Sequence, residues 1–195
     1  MMNRVVVTGA AADLGARVVT ALTLAQPCVD LVAVDRTAVS WLPPQVETRR
    51  LDLESADLKS LFSGADTVVH LSSRGAPGET DPDADEADLR IAGRVLDAAA
   101  ECGVGHLVLL STALVYGART ANPLPLSEDA PVRPNPDFSW AVVRADIEKL
   151  ATEWKKANRH ATVAGPPSHS GRHRRRSGTA RPRAPYRSAR GCRRR

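Results

Sequence analysis

Three groups of residues could bind or act on a nucleotide: a glycine-containing turn, a carboxylate after a strand, and a cation beside an indole. The turn lies between Gly9 and Gly15, where the apolar run RVVVTG leads into a helix that begins near Asp13. Small residues let a backbone approach a diphosphate, and free N–H groups at a helix start attract its charge. Taken alone, this segment could also be a plain strand-to-helix turn that uses glycine only for its conformation.

The carboxylate is that of Asp35, which ends a second apolar run, LVAVD, about 20 residues beyond Gly15. A carboxylate at this spacing can accept hydrogen bonds from both hydroxyls of an adenosine ribose. It would repel a 2′-phosphate, which favours NAD over NADP. Arg36 could instead serve a 2′-phosphate, and an aspartate at a strand end can also simply form a turn.

The cation is Arg144, one helical turn after Trp140 in the segment FSWAVVRADIEKL. This segment predicts an amphipathic helix, because apolar residues recur at spacings of three and four. They are Trp140, Val143, Ile147, Leu150 and Trp154. Arg144 shares nearly the same face, so the pair either faces a ligand or packs in the core with the guanidinium extended to solvent.

The elements that position these residues alternate between strand and helix character. Strands are predicted in RVVVTG, LVAVD, VETRRLDL, DTVVHLSS and HLVLLST, and HATV begins a sixth. Helices are predicted after Asp13, in a short segment capped by Ser55 that runs to Leu61, over 87–102, and from Phe138. This order predicts an α/β fold, a Rossmann-type doubly wound parallel sheet, incomplete at its C-terminal edge. Such sheets bind ligands at the carboxyl ends of their strands.

Charge divides the chain into two parts. Residues 1–160 carry all 22 acidic side chains and 16 of the 27 lysines and arginines, whereas residues 161–195 carry 11 arginines and no acid. We expect 1–160 to be a dinucleotide-binding Rossmann domain and 161–195 to be a disordered basic tail. The tail either binds a polyanion such as nucleic acid or is an out-of-frame translation product, which the abrupt change of composition favours.

Cysteine usage and hydropathy bound the compartment. Cys28, Cys102 and Cys192 are odd in number and lack a CxxC spacing, which favours free thiols and argues against a metal site. No apolar run is long enough for a signal peptide or a membrane span. These features predict a cytoplasmic protein with no membrane partner and, apart from the tail, no nucleic-acid partner.

Several motifs occur in one order along the chain: TGAAADLG, LDL, VVHLSS, LVLLSTALVYG and LPLSEDAPVRPNP. Together they resemble the extended short-chain dehydrogenases/reductases, the NAD-dependent epimerase/dehydratase family, over about residues 3 to 160. The resemblance implies an NAD cofactor, a homodimer through helices that here include 87–102 and 138–157, and an adenine contact from the LDL segment. The implied cofactor-binding residues are Gly9, Ala12, Asp13, Leu14, Gly15, Asp35, Arg36, Asp52, Leu53, Leu71, Ser72 and Ser73.

The resemblance also implies a catalytic Ser/Thr, here Thr112, and a YxxxKxxxE segment whose tyrosine is the acid/base and whose lysine holds the nicotinamide ribose. Aligning Glu148 with the final glutamate places Trp140 at the tyrosine and Arg144 at the lysine. An indole N–H donates a hydrogen bond but exchanges no proton at a useful pH, and acid–base catalysis contributes roughly 10²–10⁴-fold. We expect Thr112 and Arg144 to be the catalytic residues of a site with impaired activity.

Other departures from the family pattern point the same way. Ala12 replaces the central fingerprint glycine, and residues 88–92 replace the family's NVxGT, which predicts a loss of polar support there. Tyr116 could substitute as the acid, although loop packing is favoured for it. The predicted function is hydride-transfer chemistry on a hydroxylated substrate such as a nucleotide sugar. The rival prediction is a non-catalytic protein that binds a dinucleotide or a polyanion.

Overall fold

The chain forms a six-stranded parallel sheet in a computed structural model that describes residues 3–26, 29–120, 122, 126–127 and 130–164. The strand order is β3-β2-β1-β4-β5-β6, and each adjacent pair is parallel. The strands are β1 (Arg4–Thr8), β2 (Asp30–Asp35), β3 (Glu47–Arg50), β4 (Thr67–His70), β5 (His106–Leu109) and β6 (Thr162–Ala164). The predicted Rossmann-type α/β fold is confirmed.

Among the residues that the structure describes, four helices and one short 3-10 helix connect these strands. The helices are α1 (Asp13–Ala25), α2 (Leu58–Phe62), α3 (Pro82–Glu101) and α4 (Ser139–Ala157), and the 3-10 helix spans Ala113–Tyr116. Because each connection from strand to parallel strand crosses over the sheet, the carboxyl ends of all strands lie at one edge.

The strands are buried on both faces, which explains why they read as continuous apolar runs. Alternate residues of β1 point to opposite sides: Val6 joins the core formed with α2, α3 and α4, whereas Val5 and Val7 join the core formed with α1. Trp154 closes the larger core, where its indole N–H donates to the carbonyl of Leu96 at 2.7 Å. The two cores hold the turn after β1 and the end of α4 against one sheet.

Helix α3 begins at Pro82, five residues before the predicted start at Ala87. The early start has a local cause: the Asp81 carboxylate accepts the N–H groups of Asp83 and Ala84, each at 3.1 Å, and proline occupies the first turn. Apolar periodicity begins only later in the helix, so periodicity alone places the start too late.

Two further details of the helices differ from the sequence pattern. The cap of α2 is Asp57, which accepts the Ser60 N–H at 3.1 Å, so the predicted cap at Ser55 is wrong. In α1, Leu14 belongs to the apolar periodicity but is 46% exposed, while Gly15 and Val19 are buried. A glycine on the inner face lets α1 approach the turn closely, which rotates Leu14 outward.

The predicted tail and two of the cysteines fall largely outside the described residues. Residues 162–164, at the start of that segment, form β6 against β5, and the tail from residue 165 onward stays a prediction. Cys102 is a free thiol, whereas Cys28 and Cys192 are not described. In the described ranges no helix is long and apolar enough to cross a membrane.

His70, at the carboxyl end of β4, should make folding sensitive to acid. Its side chain is 4% exposed and its Nδ1 lies 2.8 Å from the Thr8 hydroxyl. Burial, together with the nearby charge of Arg144, lowers the pKa of His70 from 6.5 to about 4. Because the pKa of His70 is lower in the folded chain than in the unfolded chain, burial of the neutral imidazole stabilises the fold fully above pH 6.5. That stability is lost as the pH falls from 6.5 to about 4.

We therefore expect the wild-type chain to lose about 3 kcal/mol more stability than His70→Asn between pH 7 and pH 4. Urea unfolding at a series of pH values measures this difference, since the variant keeps every other titrating group. Parallel pH profiles for the two proteins would contradict the assignment of a neutral, buried His70.

Candidate functional site

The turn after β1 is built so that backbone atoms approach one another closely. Gly9 has a φ of +76°, and a Cβ there would lie 2.6 Å from the backbone of Leu71 and Ser72. A Cβ on Gly15 would lie 2.0 Å from the Gly9 carbonyl oxygen. Glycine is therefore required at both positions, and the start of α1 is held directly against the end of β1.

The N-terminus of α1 is open to a ligand. Ala12 occupies the cap position and has no side-chain oxygen, so no side chain caps the helix. The first-turn N–H groups of a helix have no partner within the helix, and here they belong to Asp13, Leu14 and Gly15. Ala12 is exposed, so its methyl group projects where the fingerprint glycine would leave open space. The Asp13 carboxylate forms an ion pair with Arg17, in which Oδ2 lies 3.1 Å from Nε.

Asp35 lies beside this turn and is bound to it. Its Oδ2 accepts the Ala11 N–H and its Oδ1 accepts the Thr37 N–H, each at 3.0 Å. A carboxylate has about four acceptor positions, so two remain for other donors such as ribose hydroxyls. Arg36 is exposed and, within the described residues, forms no ion pair.

A shallow cleft continues from Asp35 along the carboxyl ends of the strands. It brings together six of the predicted cofactor-binding residues, together with four residues that were not predicted: Val34, Leu51, Arg74 and Ile91. The six are Gly9, Asp35, Arg36, Asp52, Leu53 and Ser72. Apolar side chains beside a carboxylate suit a flat heteroaromatic ring that carries an amino group.

Arg74 was not predicted as a site residue, because its partners Asp52 and Glu54 are distant in sequence. Its Nη2 lies 2.6 Å from Asp52 Oδ1 and 3.2 Å from Glu54 Oε2. The Glu54 N–H also donates to Asp52, and this bond, with the Arg74 guanidinium, holds the pKa of Asp52 below its usual value. In the sequence, the only indication of a role for this residue was its position as a cation directly after the motif VVHLSS.

Beyond the cleft lies a buried ion pair between α3 and α4. Arg144 is 2% exposed, and its Nη2 lies 2.5 Å from Asp88 Oδ2 and 2.5 Å from the Ser73 hydroxyl. The expectation that residues 88–92 lack polar support is wrong, because Asp88 supplies it. The alternative in which Arg144 extends to solvent is also wrong, since a carboxylate inside the protein attracts the guanidinium.

Trp140 packs against this pair. Its ring centroid lies 5.1 Å from the Arg144 guanidinium carbon, a cation–π geometry. The indole is 7% exposed and borders Gly75. In the described part of the chain, Trp140 Nε1 and Arg144 Nε have no hydrogen-bond partner. Burial lowers the pKa of Arg144, and Asp88 opposes that shift.

Ser73 joins the ion pair to the loop after β4. Its hydroxyl lies 2.7 Å from both Asp88 Oδ2 and the Gly75 carbonyl oxygen. The next residue, Arg74, donates its backbone N–H to Asp88 Oδ1 at 2.6 Å. The Ser73 side chain is thus turned toward α3 and α4, and Leu71 is buried, so of these three predicted loop residues only Ser72 lines the cleft.

Thr112 lies after β5, where its half-buried hydroxyl accepts the Leu114 N–H at 3.3 Å and caps the 3-10 helix. The adjacent Ser111 hydroxyl donates to Glu148 of α4. Burial raises the pKa of Glu148, while the Ser111 hydrogen bond opposes that shift. Tyr116 is 6% exposed within a small apolar cluster, in agreement with loop packing. The catalytic roles of Thr112 and Arg144 remain predictions.

Comparison with known proteins agrees with the resemblance seen in the sequence. The model of the NAD dependent epimerase/dehydratase family matches residues 5–190. A search of curated proteins found no match. Among solved structures, MoeE5 in complex with UDP-glucose and NAD is 27% identical, with a TM-score of 0.71, over 83% of this chain and 52% of that one.

Two epimerases have the same fold. The UDP-glucose 4-epimerase of Thermus thermophilus, in complex with NAD, is 25% identical with a TM-score of 0.70, over 82% of this chain and 53% of that one. The UDP-N-acetylglucosamine 4-epimerase from Methanobrevibacter ruminantium is 19% identical with a TM-score of 0.71, over 84% and 54%. The chain spans about half the length of these structures.

Breaking the buried ion pair should be costly. Arg144→Met leaves the Asp88 carboxylate buried and unpaired, so we expect a loss of about 3–5 kcal/mol in the free energy of unfolding. Arg17→Met is the matched control, because it removes an exposed pair with Asp13 that contributes only about 0.5 kcal/mol. Equal urea midpoints for the two variants would show that the buried pair contributes no more to the stability of the fold than the exposed pair does.

Proposed function

Since the chain belongs to the NAD dependent epimerase/dehydratase family, we propose that it binds NAD across the turn between β1 and α1. The observation that supports this most is the convergence of an open helix start, the Asp35 carboxylate and a shallow cleft at one sheet edge. The residues fit the group: helix N–H groups suit a diphosphate, Asp35 suits a ribose, and the cleft suits adenine.

In this proposal NAD is preferred to NADP, because Asp35 would repel a 2′-phosphate. Leu53 and Ile91 pack on the adenine ring, while Asp52 accepts from its amino group. Ser72, which lies just after β4 and lines the cleft, is a further cofactor contact in this proposal. Asp13 and Leu14 act through their backbone N–H groups, since their side chains are exposed.

The proposed reaction is oxidation of a hydroxyl of a nucleotide sugar. NAD, when bound, would supply the hydride acceptor, and the hydroxyl proton would pass to solvent because Trp140 cannot take it. The substrate class is supported by neighbours such as MoeE5, whose structure contains UDP-glucose. Thr112, with a half-buried hydroxyl after β5, orients the substrate hydroxyl. Arg144 has a narrower role than the sequence predicted: it holds Ser73 and Asp88 and thereby the loop after β4. The predicted homodimer stays a prediction.

Turnover is proposed to be weak, because Trp140 cannot exchange a proton where the family has tyrosine. A second function, dinucleotide binding without catalysis, is favoured by the burial of Trp140 against Gly75. The two are separated by adding NAD and UDP-glucose to the purified chain and following nicotinamide reduction and sugar conversion. Slow conversion supports the catalytic proposal, whereas NADH binding without any conversion supports the second.

Asp35→Ala should weaken NADH binding at least about tenfold, because hydrogen bonds to a charged group contribute about 1.5–3 kcal/mol. Asp30→Ala is the matched control: it removes an aspartate from the other end of β2, where Asp30 pairs with Arg4 at 2.7 Å. Fluorescence titration with NADH measures both. If Asp35→Ala binds NADH as tightly as Asp30→Ala does, the ribose contact is wrong.

Replacing Trp140 tests the missing acid/base. Trp140→Tyr and Trp140→Phe remove the same bulk and differ by one hydroxyl, so any packing effect is shared. We expect the tyrosine variant to turn over at least about tenfold faster than the phenylalanine variant, since acid–base groups contribute roughly 10²–10⁴-fold. Equal rates of NAD-dependent conversion of UDP-glucose would mean that position 140 does not face the reacting hydroxyl.

A further inference from the structure

We propose that Arg74 is an additional cofactor-contacting residue, which forms one wall of the adenine cleft and fixes the direction of the Asp52 carboxylate. It thereby selects a base that carries an amino group over one that carries an oxo group. This inference rests on the proposed function, since it assumes that the cleft holds the base of a dinucleotide.

The first support is the position of the guanidinium. Arg74 lines the cleft with Leu53 and Ile91, and its side chain is only 18% exposed. A guanidinium is planar and weakly hydrated, so it stacks on the face of an aromatic ring more readily than an ammonium does. Arg74 thus offers a flat cationic surface to a flat base.

The second support is that Arg74 bonds to only one of the two oxygens of the Asp52 carboxylate. Oδ1 of Asp52 accepts the Glu54 N–H at 3.0 Å and the Arg74 guanidinium at 2.6 Å. Within the described residues no donor is bonded to Oδ2, so that oxygen remains an acceptor. Adenine presents an amino group as a donor, whereas hypoxanthine presents a carbonyl oxygen that a carboxylate would repel.

The third support is that Arg74 is held at both ends before any ligand arrives. Its backbone N–H donates to Asp88 Oδ1 at 2.6 Å, and Asp88 is itself fixed by Arg144. Its guanidinium is held by Asp52 and, at 3.2 Å, by Glu54. A side chain that is already ordered loses little entropy when a ligand binds, so the contact favours binding more fully.

The test compares NADH with reduced nicotinamide hypoxanthine dinucleotide on the wild type, Arg74→Met and Arg90→Met. Arg90 is the matched control, because it also pairs with Glu54, at 2.7 Å, but does not line the cleft. We expect the wild type to prefer NADH about tenfold or more, from one charge-assisted hydrogen bond and one avoided repulsion. Arg90→Met should keep that preference.

Arg74→Met should weaken NADH binding about tenfold and reduce the preference for NADH to within about twofold, since both the stacked cation and the orientation of Asp52 are lost. A purely structural role would weaken both dinucleotides equally and preserve the ratio of their dissociation constants. An unchanged ratio in Arg74→Met would therefore overturn the proposal.

Arg74→Gln takes the place of the methionine variant if that one fails to unfold cooperatively, and the same loss of the preference for NADH is expected of it. Arg74→Lys keeps the charge and separates the stacking contact from the ion pair. It should retain the preference for NADH while losing affinity for both dinucleotides, because an ammonium can pair with Asp52 but stacks poorly. Full wild-type affinity in Arg74→Lys would contradict the stacking contact. A folded wild type without affinity for NADH would overturn the proposed function as well, whereas a normal wild type with an indifferent Arg74→Met would overturn only this inference.

Discussion

The ion pair between Asp88 and Arg144 is the interaction on which the rest of the site depends. Both side chains are 3% exposed or less, so two charges have been taken out of water and must satisfy each other. The pair joins α3 to α4 and, through Ser73 and the Arg74 N–H, to the loop after β4. A buried pair of this kind adds little net stability compared with an apolar pair, but it strongly penalises any arrangement that separates the charges. Its main effect is to fix the positions of α3, α4 and the loop after β4 relative to one another.

The three departures from the family pattern fit one another physically. An arginine in place of lysine brings a planar fork, and an aspartate in place of asparagine provides the opposite charge for it. An indole in place of the phenol provides a ring 5.1 Å from the guanidinium. Considered singly, each substitution suggests a degraded site. Considered together, they form a packed polar core that contacts the loop after β4 through Ser73 and the Arg74 N–H.

Much of the fold follows from local sequence, and much of the site does not. The strands are continuous Val/Leu runs because both faces of the sheet are covered, and Gly9, Asp35 and Asp52 each lie at or just after the end of a strand, so their shared edge was predictable. The start of α3 was misplaced because a capping aspartate and a proline, not apolar periodicity, determine it. Asp88 and Arg74 escaped prediction because their partners lie 56 and 22 residues away. Pairing over such distances is a property of the folded chain.

The most direct test of the account is calorimetric titration of the purified chain with NAD, alongside a thermal unfolding curve that establishes cooperative folding. We expect saturable binding at one site per chain, with a rise in the unfolding temperature as NAD is added, because a ligand that binds only the folded state stabilises it. A cooperatively folded chain that shows neither heat of binding nor any thermal shift at millimolar NAD would contradict it.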